Sequence, residues 1–239
     1  MPDHTTSAAR RCRGVAGTIA LLLATTLVSC SPSITSNHVI TLTFIRHGES
    51  GGNASGVVDT SVPGPDLTQR GITEARAVAD RLSGNHYDGV FASTMVRTQE
   101  TAGYMAKALH ERVDVLPGLR EIEAGAYEGK PEKLAGPSMF AAITQWLAGH
   151  RDARIPDGIN GNEFDKRFDE AVDAIYATGD RRPVAFSHGA AIAARTLMNV
   201  TNLRLDLLQA KPLPNTGYVV VRGDPADGWT LVDWNGTDI

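Results

Sequence analysis

An apolar run that stops abruptly at a cation and an imidazole sets the frame for this chain: Leu42-Thr-Phe-Ile-Arg46-His47-Gly48-Glu49-Ser50. A buried strand reads this way when it delivers side chains to its carboxyl end, where open α/β sheets place their ligands. A second apolar run, Pro183-Val-Ala-Phe186, leads into Ser187-His188-Gly189. Two histidines on two strand ends, with arginines available, point to a phosphate pocket working through a phosphorylated histidine.

The rest of the chain alternates strands with helices. Residues 39–45, 89–93, 113–116 and 184–187 read as strands, and 218–222 with 229–234 as a closing strand pair. A helix is expected from Thr68, its N-cap, to about Leu82, with Ala75, Val78, Ala79 and Leu82 as its apolar face. Further helices are expected over 97–110, within a helical excursion at 130–150, and over 163–178 and 190–198. Phe164, Phe168, Val172 and Ile175 repeat at helical spacing. Residues 51–65, rich in Gly, Ser and Pro, read as a loop over the first strand end, and 117–129 and 155–161 as further loops. Alternation of this kind predicts one α/β domain over 39–239, with a helical insertion at about 130–154.

The first 29 residues read differently. Arg10, Arg11 and Arg13 precede an apolar run over 15–28, which is short for a bilayer span and fits the apolar core of a secretory signal. The run ends in Leu27-Val28-Ser29-Cys30, which resembles a bacterial lipoprotein signal in which the cysteine is lipidated and becomes the first residue. An ordinary cleaved signal with an incidental cysteine and an uncleaved anchor are the alternatives. The residues after Arg10-Arg11 fit a twin-arginine signal poorly. The expectation is an exported protein, held at the extracytoplasmic face of the cell membrane by lipid on Cys30, with 30–38 as a polar tether. Cys12 would leave with the signal, so the mature chain would have neither free thiol nor disulfide and would rely on its core. Losing residues 1–29 removes three arginines and one aspartate from 23 basic and 27 acidic residues, so the formal charge moves from −4 to −6. That balance gives no footprint for nucleic acid.

Phosphate needs positive, bidentate, pre-oriented donors, and arginine supplies them at any working pH. Arg46 adjoins His47. Arg97 opens a helix, where backbone amides also favour an anion. Arg46-His-Gly-Glu-Ser50 with Asn53 shortly after, Leu67-Thr-x-x-Gly71, Ser93-x-x-x-Arg97-Thr-x-x-Thr101-Ala102 and Ser187-His-Gly189 stand in order along the chain. In these motifs the chain resembles the histidine phosphatase (phosphoglycerate mutase-like) superfamily, over about residues 40–222. The resemblance implies a three-layer α/β/α sandwich with a mostly parallel central sheet. It implies that His47 is the residue phosphorylated, that His188 donates to the transferring phosphoryl group, and that Arg46, Asn53, Arg97 and His188 hold phosphate. Glu49 is read as shaping the loop, and Asn215 as a positioning residue.

The leaving alcohol needs a proton, which a nearby carboxylic acid can supply. Leu119-Arg-Glu121-Ile-Glu123-x-Gly125-x-x-Glu128-Gly129 resembles a segment of the superfamily's phosphatase branch, where Glu121 takes the place of the acid; Glu123 and Glu128 are the runners-up. Mutases of the superfamily carry Arg-His-Tyr-Gly after the acid and a longer insertion. This chain carries Glu123-Ala-Gly-Ala-Tyr127 and a short insertion, which favours a metal-independent phosphatase of a small-molecule phosphomonoester. Mutase-type phosphoryl transfer and a non-catalytic phosphate-binding lipoprotein are the alternatives. No His-Glu-x-x-His, cysteine pair or aspartate cluster calls for a metal, and no cofactor is expected. Phe140, Trp146 and Leu147 are candidates for substrate contact, with core packing as the alternative. His38, His86, His110 and His150 are expected at the surface.

Overall fold

Along β1 (Ile40–Arg46), Ile40, Leu42 and Phe44 face one apolar cluster and Ile45 faces another. That parity is the mark of a strand covered on both sides. The computed structural model describes residues 38–207 and 212–239. The expected signal, Cys30 and all but the last residue of the tether lie outside the described residues.

After β1 come α1 (Gly51–Ser55), α2 (Gln69–Leu82), β2 (Gly89–Ala92), α3 (Val96–Leu109), β3 (Val113–Val115), α4 (Glu132–Leu147), α5 (Gly161–Ala177), β4 (Pro183–Ser187), α6 (Gly189–Asn199), β5 (Tyr218–Asp224) and β6 (Gly228–Trp234). The sheet runs β3-β2-β4-β1-β5-β6. Its first four strands are mutually parallel, and β5 and β6 close it antiparallel. Val78, Leu82, Ala102 and Met105 of α2 and α3 cover Ile45, Val90 and Phe186 on one face. Phe164, Phe168 and Val172 of α5 and Ile192 of α6 cover Leu42, Phe44, Phe91 and Ala185 on the other. The three-layer α/β/α sandwich expected from the sequence is the observed fold. Each large side chain sealed in these layers contributes roughly 1.5–3 kcal/mol relative to exposure.

Pairing of β1 with β4 fixes the functional end of the sheet. The two strands are parallel, with Arg46 opposite Ser187. His47 and His188, the next residue on each, therefore emerge side by side. β2 lies on the far side of β4, with Ala92 opposite Phe186, so Ser93 emerges at the same end.

Most elements fall within a residue or two of their expected bounds. The loop expected over 51–65 is the exception, because it opens with α1. Ser50 caps that helix, with its side chain accepting from the Asn53 N–H and the Asn53 side chain accepting in return from the Ser50 N–H. Gly-Gly-Asn-Ala-Ser carries no apolar period, so only the cap could have announced so short a helix.

Candidate active site

His47 is buried, and the orientation of its ring is set from both sides. Nδ1 stands 2.7 Å from the carbonyl of Gly48, so it carries the proton and donates there. Nε2 accepts from Nε–H of Arg97 at 3.1 Å. A carbonyl on one nitrogen and a guanidinium donor on the other leave the neutral tautomer with its lone pair on Nε2. Burial and then the neighbouring Arg97 and Arg46 push the His47 pKa well below the ordinary histidine value, and the bond to Gly48 only partly opposes them.

His188 lies in edge contact with His47, with ring centroids 5.1 Å apart. Its Nε2 is 2.9 Å from Oγ of Ser93, an oxygen that accepts from the Met95 N–H; with the Ser93 hydroxyl donating to Nε2, Nδ1 carries the ring proton. Burial, His47 and Arg97 hold His188 well below its usual pKa. Arg97 stands in the first turn of α3, as expected, and one Nη2–H reaches the carbonyl of Asp59. Arg46 donates from Nη1 to the carbonyl of Leu213 at 2.8 Å. Gly189 passes so close that a Cβ there would stand 3.2 Å from Nε of Arg46. Burial draws both guanidinium pKa values down, yet arginine is the side chain that keeps its charge at any working pH. Three buried nitrogens of this group have no hydrogen-bond partner among the described residues: Nε of Arg46, Nη1 of Arg97 and Nδ1 of His188. Unpaired polar nitrogens concentrated around one histidine are the donor set an anionic group would satisfy.

Glu121 reaches the same place from the loop before α4. Its Oε1 accepts from the N–H groups of Ile122 and Ala191, and Oε2 from that of Ala190. Two of these donors belong to the first turn of α6, so the helix that begins after His188 also holds the carboxyl. Burial nevertheless raises the Glu121 pKa, against the pull of the Ile122 amide, Arg97 and Arg46. The runners-up have other partners. Glu128 binds the N–H and hydroxyl of Thr60, and Glu123 pairs with Arg120 and Arg167.

Asn53 lines the cavity beside His47, but its Oδ1 is engaged by the Ser50 N–H and by Nδ2 of Asn215. Asn215 also donates to the carbonyl of His47 at 3.1 Å, the positioning contact expected of it. Glu49 shapes the loop as read: its Oε1 accepts from the hydroxyl of Thr68, the N-cap of α2. Of the three aromatic and aliphatic candidates in the insertion, Phe140 lines the cavity. Trp146 is sealed in the core with its indole N–H on the Ala153 carbonyl, and Leu147 packs against that core. His86, His110 and His150 are exposed. His38 departs from expectation: it is half-buried and stacked on Tyr176 at 4.4 Å.

Arg167 of α5 has no counterpart in the sequence-derived set. It donates to the carbonyls of Gly118, Arg120 and Glu121 while lying over Phe164, and so ties the Glu121 loop to the helix layer. The available signal was an arginine three residues from Phe164, on the apolar face of its helix. Among the described residues, no three His, Cys, Asp or Glu side chains converge as a metal site.

The model of the histidine phosphatase superfamily (branch 1) matches residues 42–237. The chain belongs to that superfamily. The PE-PGRS family protein PE_PGRS11 of Mycobacterium tuberculosis is 39% identical over 216 residues, spanning 84% of this chain. The chain corresponds to only 37% of that relative's length. The probable phosphoglycerate mutase GpmB of Yersinia pestis is 31% identical over 150 residues, 62% of this chain and 69% of that protein. In fold, a mycobacterial glucosyl-3-phosphoglycerate phosphatase solved with VO3 superimposes with a TM-score of 0.68 at 22% identity, covering 83% of this chain and all of the other. Entamoeba histolytica phosphoserine phosphatase gives 0.66 at 23% identity over 83% and 98% of the two chains. At such identities the likeness is one of fold.

Proposed function

We propose that the chain is a metal-independent phosphomonoesterase acting through a phosphohistidine on His47. Nε2 attacks phosphorus in line with the ester oxygen, the P–O bond breaks, and Glu121 delivers its proton to the departing alkoxide. Glu121, now a carboxylate, takes a proton from water as its oxygen attacks the phosphohistidine. The N–P bond breaks and inorganic phosphate leaves. Arg46, Arg97, His188 and Asn53 surround the phosphoryl oxygens, and the donor that Arg97 places on Nε2 passes to one of them as phosphorus approaches. Pre-oriented cations around a developing charge are among the strongest stabilisers an enzyme has.

The observation that carries this reading is the fixed ring of His47, with its lone pair aimed at a cluster of unpaired donors. The test is hydrolysis of p-nitrophenyl phosphate in EDTA from about pH 4.5 to 8 beside His47→Ala, with acid-labile label sought on the protein. Turnover and labelling that both vanish in the variant are expected; turnover that persists in His47→Ala would sink the mechanism. Likeness to the Yersinia protein favours the mutase as second reading. A mutase would interconvert phosphoglycerates and depend on a bisphosphate, whereas a hydrolase would release inorganic phosphate without one. We further propose export with lipid on Cys30. Fatty-acid labelling of the cells should tag the protein and fail for Cys30→Ala, and label retained by the variant would exclude that anchor.

A further inference from the structure

The cavity at His47 has a volume of about 380 Å³, and its character changes away from the phosphate end. Met139, Phe140 and Ile143 of α4 line it together with Val58 and Leu213. Positions 139, 140 and 143 fall on one helical face, so α4 presents a continuous apolar wall. Phe140 is 48% exposed, a large aromatic surface left at the edge of a cavity. Among the described lining residues the cations are Arg97, bonded to His47, and Arg46, its neighbour in sequence. The other ionisable lining groups are the carboxyls of Asp59, Glu121 and Glu132, of which Glu121 is the protonated acid of the proposed reaction.

We propose that this site takes the phosphate monoester of an uncharged, apolar alcohol, an alkyl or aryl group of medium length, in preference to polyol phosphates or phosphorylated acids. The inference rests on the phosphomonoesterase reading and adds the substrate class to it. Each methylene laid against Met139, Phe140 and Ile143 leaves water and gains binding, whereas a hydroxyl placed there loses its water partners without replacement. A second anionic group, such as the carboxylate of a phosphoglycerate, finds both arginines engaged with phosphate and meets Asp59 and Glu132 instead. A cavity of that volume exceeds what a phosphate alone would fill, which leaves room for several carbons.

The experiment compares kcat/KM of the full chain for ethyl, butyl, hexyl and octyl phosphate, below their micellar concentrations, with glycerol phosphate, 3-phosphoglycerate and p-nitrophenyl phosphate. Expected is a rise of roughly threefold per methylene until the wall is covered, with hexyl phosphate at least tenfold above glycerol phosphate and 3-phosphoglycerate. Phe140→Ser, at a half-exposed position, should flatten the hexyl-to-ethyl ratio several-fold. Glu132→Gln should raise the ratio of 3-phosphoglycerate to butyl phosphate. A flat alkyl series, or glycerol phosphate turned over as well as hexyl phosphate, would overturn the apolar class while hydrolysis of p-nitrophenyl phosphate left the phosphomonoesterase reading standing. Failure to hydrolyse every ester would overturn both.

Discussion

Glu121 and His47 are pushed in opposite directions by the same burial. The carboxyl is raised because its charged form loses water, although amides from Ile122 and the start of α6, with Arg97 and Arg46, draw it back. The imidazole is lowered because its charged form loses water beside two guanidinium groups. A neutral base and a protonated acid can therefore coexist at a pH where free histidine and free glutamate would begin to exchange their roles. Rate should fall on the acid side as His47 protonates, below the ordinary histidine range, and on the alkaline side as Glu121 ionises, above the ordinary carboxyl range. Glu121→Gln removes the acid without its shape. It should lower kcat for an alkyl phosphate by about 10²–10⁴-fold and erase the alkaline limb. The loss in kcat/KM, which reports the first phosphoryl transfer and not the shared hydrolysis of the phosphohistidine, should be much smaller for p-nitrophenyl phosphate, whose leaving group needs no proton. Equal losses in kcat/KM for both esters would remove Glu121 from the acid role. Position alone favoured Glu121 in the sequence over Glu123 and Glu128. What separates the three physically is that only Glu121 faces His47's cavity, whereas the others are bonded to Thr60, Arg120 and Arg167.

Among the elements, α2 does more for the site than its amphipathic pattern announces. Its cap, Thr68, binds the side chain of Glu49, Glu74 accepts from the Glu49 N–H, and Gly71 packs directly on the same strand end. A Cβ on Gly71 would lie 2.0 Å from the Glu49 carbonyl oxygen, and one on Gly48 would lie 2.5 Å from that of Gly71. Leu67-Thr-x-x-Gly71 is thus a buttress for the loop after His47, and its glycine is required by contact with backbone that cannot turn aside. Gly71→Ala should cost about 1–3 kcal/mol of stability, despite alanine's better helix propensity. It should also reduce turnover by moving Gly48, the acceptor of the His47 ring proton. Urea unfolding beside the activity assay checks this; a variant as stable as the parent would mean that the loop yields freely. Long periodic helices such as α5 were legible because their burial repeats every third or fourth residue. α1 was not, since one reciprocal cap defines it and no apolar face does. Arg167 escaped for a related reason: its partners are carbonyls of a loop 46 to 49 residues away, and carbonyls leave no trace in sequence.

At the level of the whole molecule, the sheet brings residues distant in sequence to one edge, and it does so by burying them. The motifs around His47, Arg97 and His188 were legible as separate strand and helix ends. Their convergence follows from the order β2-β4-β1, which depends on how the layers pack and not on any one segment. The shape of the cavity was less legible, because α4 mixes residues that enter the core, such as Trp146, with ones that line the opening, such as Phe140. Burial of the site has a thermodynamic consequence for the entire fold. His47 and His188 both sit well below the ordinary histidine pKa, chiefly through burial. Unfolding exposes them, so below about pH 6.5 the unfolded chain binds protons that the native chain refuses, and their contribution to stability falls as pH falls through this window. Each histidine contributes a slope of up to about 1.4 kcal/mol per pH unit there. Glu121 acts with the opposite sign: its raised pKa gives stability that is present below the unfolded carboxyl value and lost as pH rises through the folded one. Asp169 and Asp180, also raised by burial, act with the sign of Glu121, so the histidine contribution is read by comparing a histidine variant with the parent. His47→Asn removes one of the two, so its curve of urea midpoint against pH should be flatter than the parent's between about pH 5 and 6.5, and the curves should run parallel above that range. Parallel curves throughout would show that His47 titrates alike in the folded and unfolded chain, and the neutral nucleophile on which the proposed chemistry depends would lose its physical basis.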